Sequence, residues 1–177
     1  MSAQLADLFI RTPEDRFEKL NFAAPSHPEL YGLGVALYGT APDYMRFLRF
    51  VLNGGELDGQ RIISPETFEL MRSNQIGDLR IPPIATYRRD ISFDVDRLFS
   101  QTSMSHTAGF LRTEADVDGM RNAETLWWAG FLNTHYWVDS SAGVAALLMT
   151  QTLPFCDPRY MSVLDDFERA VYQDLGR

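Results

Sequence analysis

The chain has 177 residues, of which 45% are hydrophobic, and its formal net charge is −8 at pH 7. This composition is typical of one globular domain with a sizeable core, and it excludes a disordered or fibrous chain. We expect no nucleic-acid partner, because phosphate binding needs a clustered basic surface and the largest basic cluster is Arg88-Arg89. The longest apolar run, Val144–Met149, is too short to span a membrane and suits a buried strand.

Lysine and cysteine are both rare in this chain. Lys19 is the only lysine among 16 basic residues, so a catalytic lysine must be Lys19 or come from another chain. Cys156 is the only cysteine, which excludes an internal disulfide and disfavours a thiolate zinc site. We predict neither a metal nor a cofactor. Residues Met1–Ile10 lack a basic stretch followed by an apolar one, so the sequence slightly favours the cytoplasm and otherwise leaves the compartment open.

The clearest helix signal begins near residue 40. The first thirty residues, punctuated by prolines, are predicted as short helix or loop. Thr40 can then cap a helix, with Pro42 in its first turn and Asp43 three residues after the cap. Asn53-Gly54-Gly55 predicts the helix end, since glycine accepts the left-handed geometry of a C-terminal cap. Apolar residues recur at helical spacing between these limits: Tyr44, Phe47, Leu48, Val51 and Leu52.

A hairpin, a second helix and a loop are predicted next. The dipeptide Asp58-Gly59 between short apolar flanks indicates a small hairpin. Ser64 as cap indicates a helix to about Asn74, with Phe68 and Met71, and less clearly Leu70, facing inward. Residues 77–96 show no regular pattern and predict a long surface loop, a common place for binding residues.

The last third of the chain has a β character that ends in a helix. Residues 131–138 and 144–151 are predicted strands, joined by a hairpin connection at Asp139–Gly143. The closing helix is predicted from Pro158 to Leu175, with an apolar stripe of Leu164, Phe167, Val171 and Leu175. We therefore predict an α+β fold in a single domain, residues 1–177, with an antiparallel sheet flanked by helices.

The residues alone do not define a catalytic site. No serine lies in G-x-S-x-G, and Arg16 stands where a serine would have to precede Lys19. His27 is predicted as an exposed loop residue and His135 as a packed sheet residue. Neighbouring acids, at 94 and 96 and at 116 and 118, are interpreted as solvated turn residues. The aromatic cluster around Trp127, Trp128, Phe131, Tyr136 and Trp137 is interpreted as either a core or the wall of a binding pocket.

Several segments together resemble the later part of class C β-lactamase-like serine hydrolases, a superfamily of β-lactamases, esterases and penicillin-binding proteins. The first block runs from Gly34 to Leu79 and the second contains Trp128-Ala129-Gly130-Phe131, Tyr136–Asp139 and Leu148–Gln151, while Phe9–Leu20 is similar to the approach to them. The resemblance covers nearly the whole chain. It implies the C-terminal part of the β-lactamase/transpeptidase-like fold.

The resemblance assigns the third motif of the family to residues 128–130. It implies that Trp128, Ala129 and Gly130 bind substrate and that the backbone amide of Phe131 helps to form an oxyanion hole. Ala129 replaces the more usual glycine, serine or threonine, which removes a hydroxyl contact. His106-Thr107-Ala108-Gly109 imitates a His-Thr-Gly form of the motif but has one residue too many, so we interpret it as a chance match.

The earlier motifs of the family are not found: the chain has no Ser-x-x-Lys and no Tyr-x-Asn. The resemblance therefore implies one part of a serine hydrolase acting on ester or amide bonds, β-lactams among them, that is inactive alone. Its partners would be a small ester or amide substrate and either an N-terminal portion or a second copy of the chain. The alternative is a non-catalytic module derived from the same fold that binds a ligand or a protein.

Overall fold

A computed structural model describes residues 5–22, 27, 29–30, 37–79, 81–82, 84–99 and 102–176. Ten strands lie in these ranges: β1 (Leu8–Arg11), β2 (Phe17–Leu20), β3 (Glu56–Leu57), β4 (Gln60–Arg61), β5 (Met104–His106), β6 (Leu111–Thr113), β7 (Leu126–Gly130), β8 (Thr134–Asp139), β9 (Val144–Leu148) and β10 (Thr152–Leu153). The helices are α1 (Ala41–Leu52), α2 (Pro65–Arg72), α3 (Asp96–Phe99) and α4 (Pro158–Asp174).

The centre of the molecule is a five-stranded antiparallel sheet in the order β5-β6-β7-β8-β9. Side chains alternate between its two faces, so Trp127 and Trp137 face α4 while Leu126 and Val138 face α1 and α2. Each face carries its own buried apolar cluster. This arrangement confirms the predicted α+β class with an antiparallel sheet flanked by helices.

Helix α1 forms where its capping residues predict it. The Thr40 hydroxyl accepts a hydrogen bond from the Asp43 amide at 3.3 Å, and the Asp43 carboxylate accepts one from the Thr40 amide at 3.4 Å. Leu48 and Val51 are fully buried against the sheet. Phe47, expected on the inner stripe, is 40% exposed and leaves part of the helix's apolar surface uncovered.

The predicted hairpin and second helix are both present. Asp58 and Gly59 turn with φ of 49° and 78°, between β3 and β4, as a two-residue hairpin turn requires. The Ser64 hydroxyl caps α2 by accepting from the Thr67 amide at 3.1 Å. The helix ends two residues before the expected Asn74, and Leu70, the weaker inward candidate, is instead exposed.

The N-terminal prediction of helix or loop is wrong for residues 8–11 and 17–20, whereas residues 12–16 form a loop between them. Strands β1 and β2 form an antiparallel pair, and β1 also pairs in parallel with β10 to complete a three-stranded sheet. Residues 23–26 and 28 of the predicted loop lie outside the described residues. Strands of four residues are too short to show a clear alternating pattern, and the parallel partner of β1 lies at the other end of the chain.

Some short elements are not predicted, and two strand boundaries differ: β8 begins later than expected, and β9 ends at Leu148 instead of residue 151. Strands β5 and β6 and the four-residue helix α3 were not predicted. Strand β8 begins at Thr134, because the Asn133 amide donates to the Gly130 carbonyl at 2.9 Å and closes a turn over the preceding residues. The described part of residues 77–95 holds only one isolated bridge, from Ser92 to Phe155, in agreement with a loop.

The β8–β9 hairpin and the terminal helix match their predictions closely. Asp139 pairs with Val144 across the hairpin, and α4 runs from Pro158 to Asp174. Leu175 lies beyond the helix and is exposed, whereas Met161, Leu164, Glu168 and Tyr172 are its buried residues. None of the helices in the described ranges has the length and apolar character needed to cross a membrane.

Candidate functional site

The candidate site lies at the end of strand β7, which extends beyond the last of its residues that pair with β6. Strand β6 pairs with β7 only at Leu111↔Trp127 and Arg112↔Leu126, whereas β8 follows β7 as far as Gly130. The second half of β7, residues 128–130, therefore has a strand partner on one side only. This half forms the open edge that a glycine-containing strand can offer to a ligand backbone.

Backbone polarity shows which amides face the open edge of residues 128–130. The Thr113 amide donates to the Thr125 carbonyl at 3.0 Å, so the carbonyl of Thr125 faces β6. Every second residue along a strand directs its backbone groups to the same side, which places those of Ala129 on that side. Phe131 follows the strand, and its amide shares a trans peptide plane with the Gly130 carbonyl, which accepts from the Asn133 amide on the hairpin side. The Phe131 amide therefore points the other way, towards the open edge. Among the described residues, no backbone acceptor is bonded to the Phe131 amide. The Phe131 amide is therefore available to donate a hydrogen bond to a bound molecule.

The side chains around the open edge leave it accessible. Trp128 is 40% exposed and Phe131 is 50% exposed. A methyl group placed on Gly130 would meet Thr134 only at an ordinary contact distance of 3.6 Å. Packing within the chain thus does not require glycine at this position, and the lack of a side chain there instead leaves room for a molecule from outside.

His106 borders the same edge, although the sequence analysis set it aside. It ends β5, and its ring contacts that of Trp128 edge to face, with the centroids 5.5 Å apart and the planes at 77°. No spacing in the sequence links these two residues. Only the pairing of β5 with β6 and of β6 with β7 brings them together.

The other predicted side-chain positions lie away from this edge. His135 is 3% exposed and packs between Phe155 and Tyr160 on the α4 face, as expected of a packed sheet histidine. Burial, reinforced by the charge of Arg121, lowers its pKa to about 4. His27 is exposed, and Cys156 is buried, which raises the pKa of its thiol to about 12.

Neither the lysine nor the Tyr-x-Ser sequence of the described chain lies at the open edge. Lys19 lies on β2 and forms an ion pair with Asp7 at 2.7 Å. A Tyr-x-Ser sequence, the other form of the family's general-base motif, occurs at Tyr160-Met161-Ser162, but it lies in α4 behind the sheet. Burial raises the pKa of Tyr160 further from neutrality. No group of three or more potential metal ligands occurs within the ranges that the structure covers.

The central antiparallel sheet between α1 and α2 on one face and α4 on the other defines the β-lactamase/transpeptidase-like fold. The structure aligns with simvastatin synthase LovD from Aspergillus terreus at 20% identity and a TM-score of 0.75, over 98% of this chain and 43% of that one. It also aligns with EstCE1, a hydrolase with promiscuous acyltransferase activity, at 19% identity and a TM-score of 0.62, over 97% of this chain and 44% of that one. These likenesses show the fold.

Sequence comparison gives a shorter match. A stretch of 51 residues, 29% of this chain, is 43% identical to Protein Rv1367c of Mycobacterium tuberculosis and covers 13% of that protein. No family model matches the sequence. The chain thus spans less than half the length of the relatives and solved structures with which it aligns.

Proposed function

We propose that this chain is the C-terminal portion of a serine hydrolase that acts on ester or amide bonds through an acyl-enzyme. The open edge of β7 carries the proposal, because it combines the small residues Ala129 and Gly130 with a Phe131 amide that bonds to no backbone acceptor among the described residues. A carbonyl oxygen placed there would accept a hydrogen bond from the Phe131 amide as negative charge develops on it. Such a donor stabilises the tetrahedral intermediate of acyl transfer.

The named activities of two proteins with this fold support the reaction class. EstCE1 is a hydrolase with acyltransferase activity, and LovD is a simvastatin synthase. In the proposed site, Trp128 would form the pocket wall beside the reacting carbonyl. The serine nucleophile and the lysine and tyrosine that assist it would come from outside this chain.

A partner for the proposed site would have an apolar surface to bind. Phe47 of α1 and Ile62 after β4 are 40% and 59% exposed, and they line an open apolar groove of about 300 Å³ together with Arg46, Phe50 and Leu57. An exposed groove of this kind marks an interaction surface in a folded protein. We propose that it takes the N-terminal portion that carries the nucleophile, or a second copy of the chain in its absence.

An ester assay on the purified chain, alone and together with the segment encoded directly upstream of it, tests the proposed function. The chain alone should release no burst of chromophore from nitrophenyl acetate or nitrocefin. Together with an upstream segment that contains Ser-x-x-Lys, it should release about one equivalent, as acyl-enzyme formation requires. A one-equivalent burst from the chain alone would contradict the proposal, because the nucleophile would then lie within it.

The second candidate function is a non-catalytic module that uses the Trp128 pocket or the α1 groove to bind a ligand or a protein. It is favoured by the missing Ser-x-x-Lys. An upstream region that encodes no such motif, or a pair of segments that stays inactive, would support the module over the enzyme.

A further inference from the structure

The imidazole of His106 lies at the candidate site in a defined orientation. Its Nδ1 is 2.5 Å from the carbonyl oxygen of Thr107, which can only accept, so Nδ1 carries the proton and donates. In the neutral imidazole, a histidine that donates through Nδ1 keeps the lone pair of Nε2 as an acceptor. No protein donor is bonded to Nε2 in the part of the chain that the structure describes.

The backbone around His106 is held firmly enough to fix this orientation. The carbonyl oxygen of His106 accepts from the Gln75 amide at 2.9 Å. The Thr107 amide donates to the Phe110 carbonyl at 2.9 Å, and the buried Thr107 hydroxyl accepts from the amides of Gly109 and Phe110. The turn after β5 is therefore closed by its own hydrogen bonds. These bonds hold the backbone that carries the His106 ring, and the contact of Nδ1 with the Thr107 carbonyl directs the ring itself.

The two ring systems at this edge differ in what they can offer a bound molecule. Trp128 presents an exposed apolar face, and the half-buried His106 beside it presents one acceptor atom. His135, on the neighbouring strand β8, also has an Nε2 without a hydrogen-bond partner among the described residues, but it lies under Phe155 and Tyr160 at 3% exposure. Only His106 can meet a molecule that enters from solvent.

We propose that His106 is a specificity-determining residue of the open edge of β7, whose Nε2 accepts a hydrogen bond from a hydroxyl or N–H group of a molecule packed against Trp128. The ligand class is an aromatic or aliphatic alcohol or amine, which in the proposed hydrolase would be the leaving group or the acceptor of the acyl chain. The role of the alcohol or amine as a reactant rests on the proposed function. The preference of His106 for a ligand with a hydrogen-bond donor does not depend on it.

Binding of benzyl alcohol and of benzyl methyl ether to the purified chain tests the proposal, since the two probes differ in the hydrogen-bond donor. In ¹⁵N-detected imidazole spectra, His106 should be the Nδ1–H tautomer, and benzyl alcohol should shift its Nε2 resonance. A neutral hydrogen bond should make the alcohol bind about three- to tenfold more tightly than the ether. His106→Phe should abolish this preference, whereas His106→Gln, which keeps an acceptor, and His27→Gln, at an exposed site, should retain it.

The Nε2–H tautomer, equal binding of the two probes, failure of both probes to bind, or a preference that survives His106→Phe would each overturn the proposal. None of these measurements requires a nucleophile. An inactive pair of segments combined with a clear preference for the alcohol would therefore refute the proposed hydrolase and leave the role of His106 intact.

Discussion

At the scale of single residues, the proposed site depends on backbone atoms more than on side chains. The important group of Phe131 is its amide, whose direction follows from the turn that the Gly130 carbonyl closes after β7. Residues 128–131 could be predicted as a site only through the family resemblance. The direction of a backbone amide depends on the strand and the turn around it, and the residue type does not reveal it. His106 was missed for the same reason: its place beside Trp128 is a property of strand pairing.

Replacing Phe131 by proline removes the amide donor and tests its role in the proposed hydrolase, formed by this chain together with the upstream segment. We expect a loss of about 100- to 1000-fold in kcat for nitrophenyl ester hydrolysis, the usual cost of one oxyanion-hole donor. The control Phe131→Ala keeps the amide and should lose far less, since the Phe131 side chain is half exposed. Circular dichroism of both variants checks that the sheet remains. Equal activity in the two variants would exclude this amide from the reaction.

Burial of His135 makes the stability of the chain depend on pH. Burial lowers the pKa of His135 from its ordinary 6.5 to about 4 in the folded chain. Between pH 6.5 and 4, the unfolded chain therefore binds a proton on this histidine, whereas the folded chain keeps it neutral. The free energy of unfolding is therefore not reduced by this histidine above pH 6.5, and it falls by about 3 kcal/mol in total as the pH drops from 6.5 towards 4. Urea unfolding at several pH values should show the loss in the native chain and in His27→Gln. The pH slope should flatten in His135→Phe, and an unchanged slope would contradict the assignment.

At the scale of elements, prediction succeeded where the signal is local. The Thr40–Asp43 cap, the Asp58-Gly59 turn and the connection after Asp139 are each encoded by adjacent residues. It failed for β1, whose parallel partner β10 lies at the other end of the chain, and for β5 and β6, whose three residues each are too few to show an alternating pattern. Phe131 was placed in a strand because its apolar neighbours continue the β pattern through a turn.

Helix α4 is tied to the loop before β7 by a buried ion pair. The Glu168 carboxylate, 1% exposed, accepts from the backbone amide and the guanidinium of Arg121, which is 12% exposed and lies over the Trp127 ring at 5.1 Å. Glu168→Gln removes the charge partner of Arg121 and should lower the free energy of unfolding by about 3 kcal/mol. Denaturant unfolding measures the change.

The matched control for Glu168 is Glu69→Gln. Glu69 also pairs with an arginine, Arg72 at 2.7 Å, but its side chain is 62% exposed. Exposed pairs contribute little, so this variant should lose no more than about 1 kcal/mol. Similar losses of unfolding free energy in Glu168→Gln and Glu69→Gln would contradict this prediction. They would show that a buried ion pair contributes no more to stability than an exposed one.

At the scale of the whole molecule, the chain combines two well-packed faces of one sheet with an uncovered groove on α1. The fold was predictable from the resemblance and from the order of helices and strands. The groove was not, because the periodicity of α1 predicted Phe47 as an inward residue. Helical spacing identifies the apolar stripe of a helix but not which part of that stripe its own chain covers.

The uncovered groove predicts self-association of the isolated chain. We expect sedimentation velocity at micromolar concentration to show dimers or larger species, and the double variant Phe47→Ser, Ile62→Ser to sediment as a monomer. Tyr87→Ser is the control, because Tyr87 is 95% exposed but does not line the groove, and it should not alter association. A monomeric native chain would refute the proposal that this surface binds a second copy.

The parallel pairing of β1 with β10 constrains the order of events during synthesis on the ribosome. Arg11, the last residue of β1, donates to the carboxylate of Asp157 across 146 residues of sequence. Strand β1 therefore emerges well before β10 and stays unpaired on that edge until residues 152–153 have left the exit tunnel. Contacts of such long range form slowly. The pairing of β1 with β10 should therefore form late, and a translational pause before residue 152 would leave that edge of β1 exposed to chaperones.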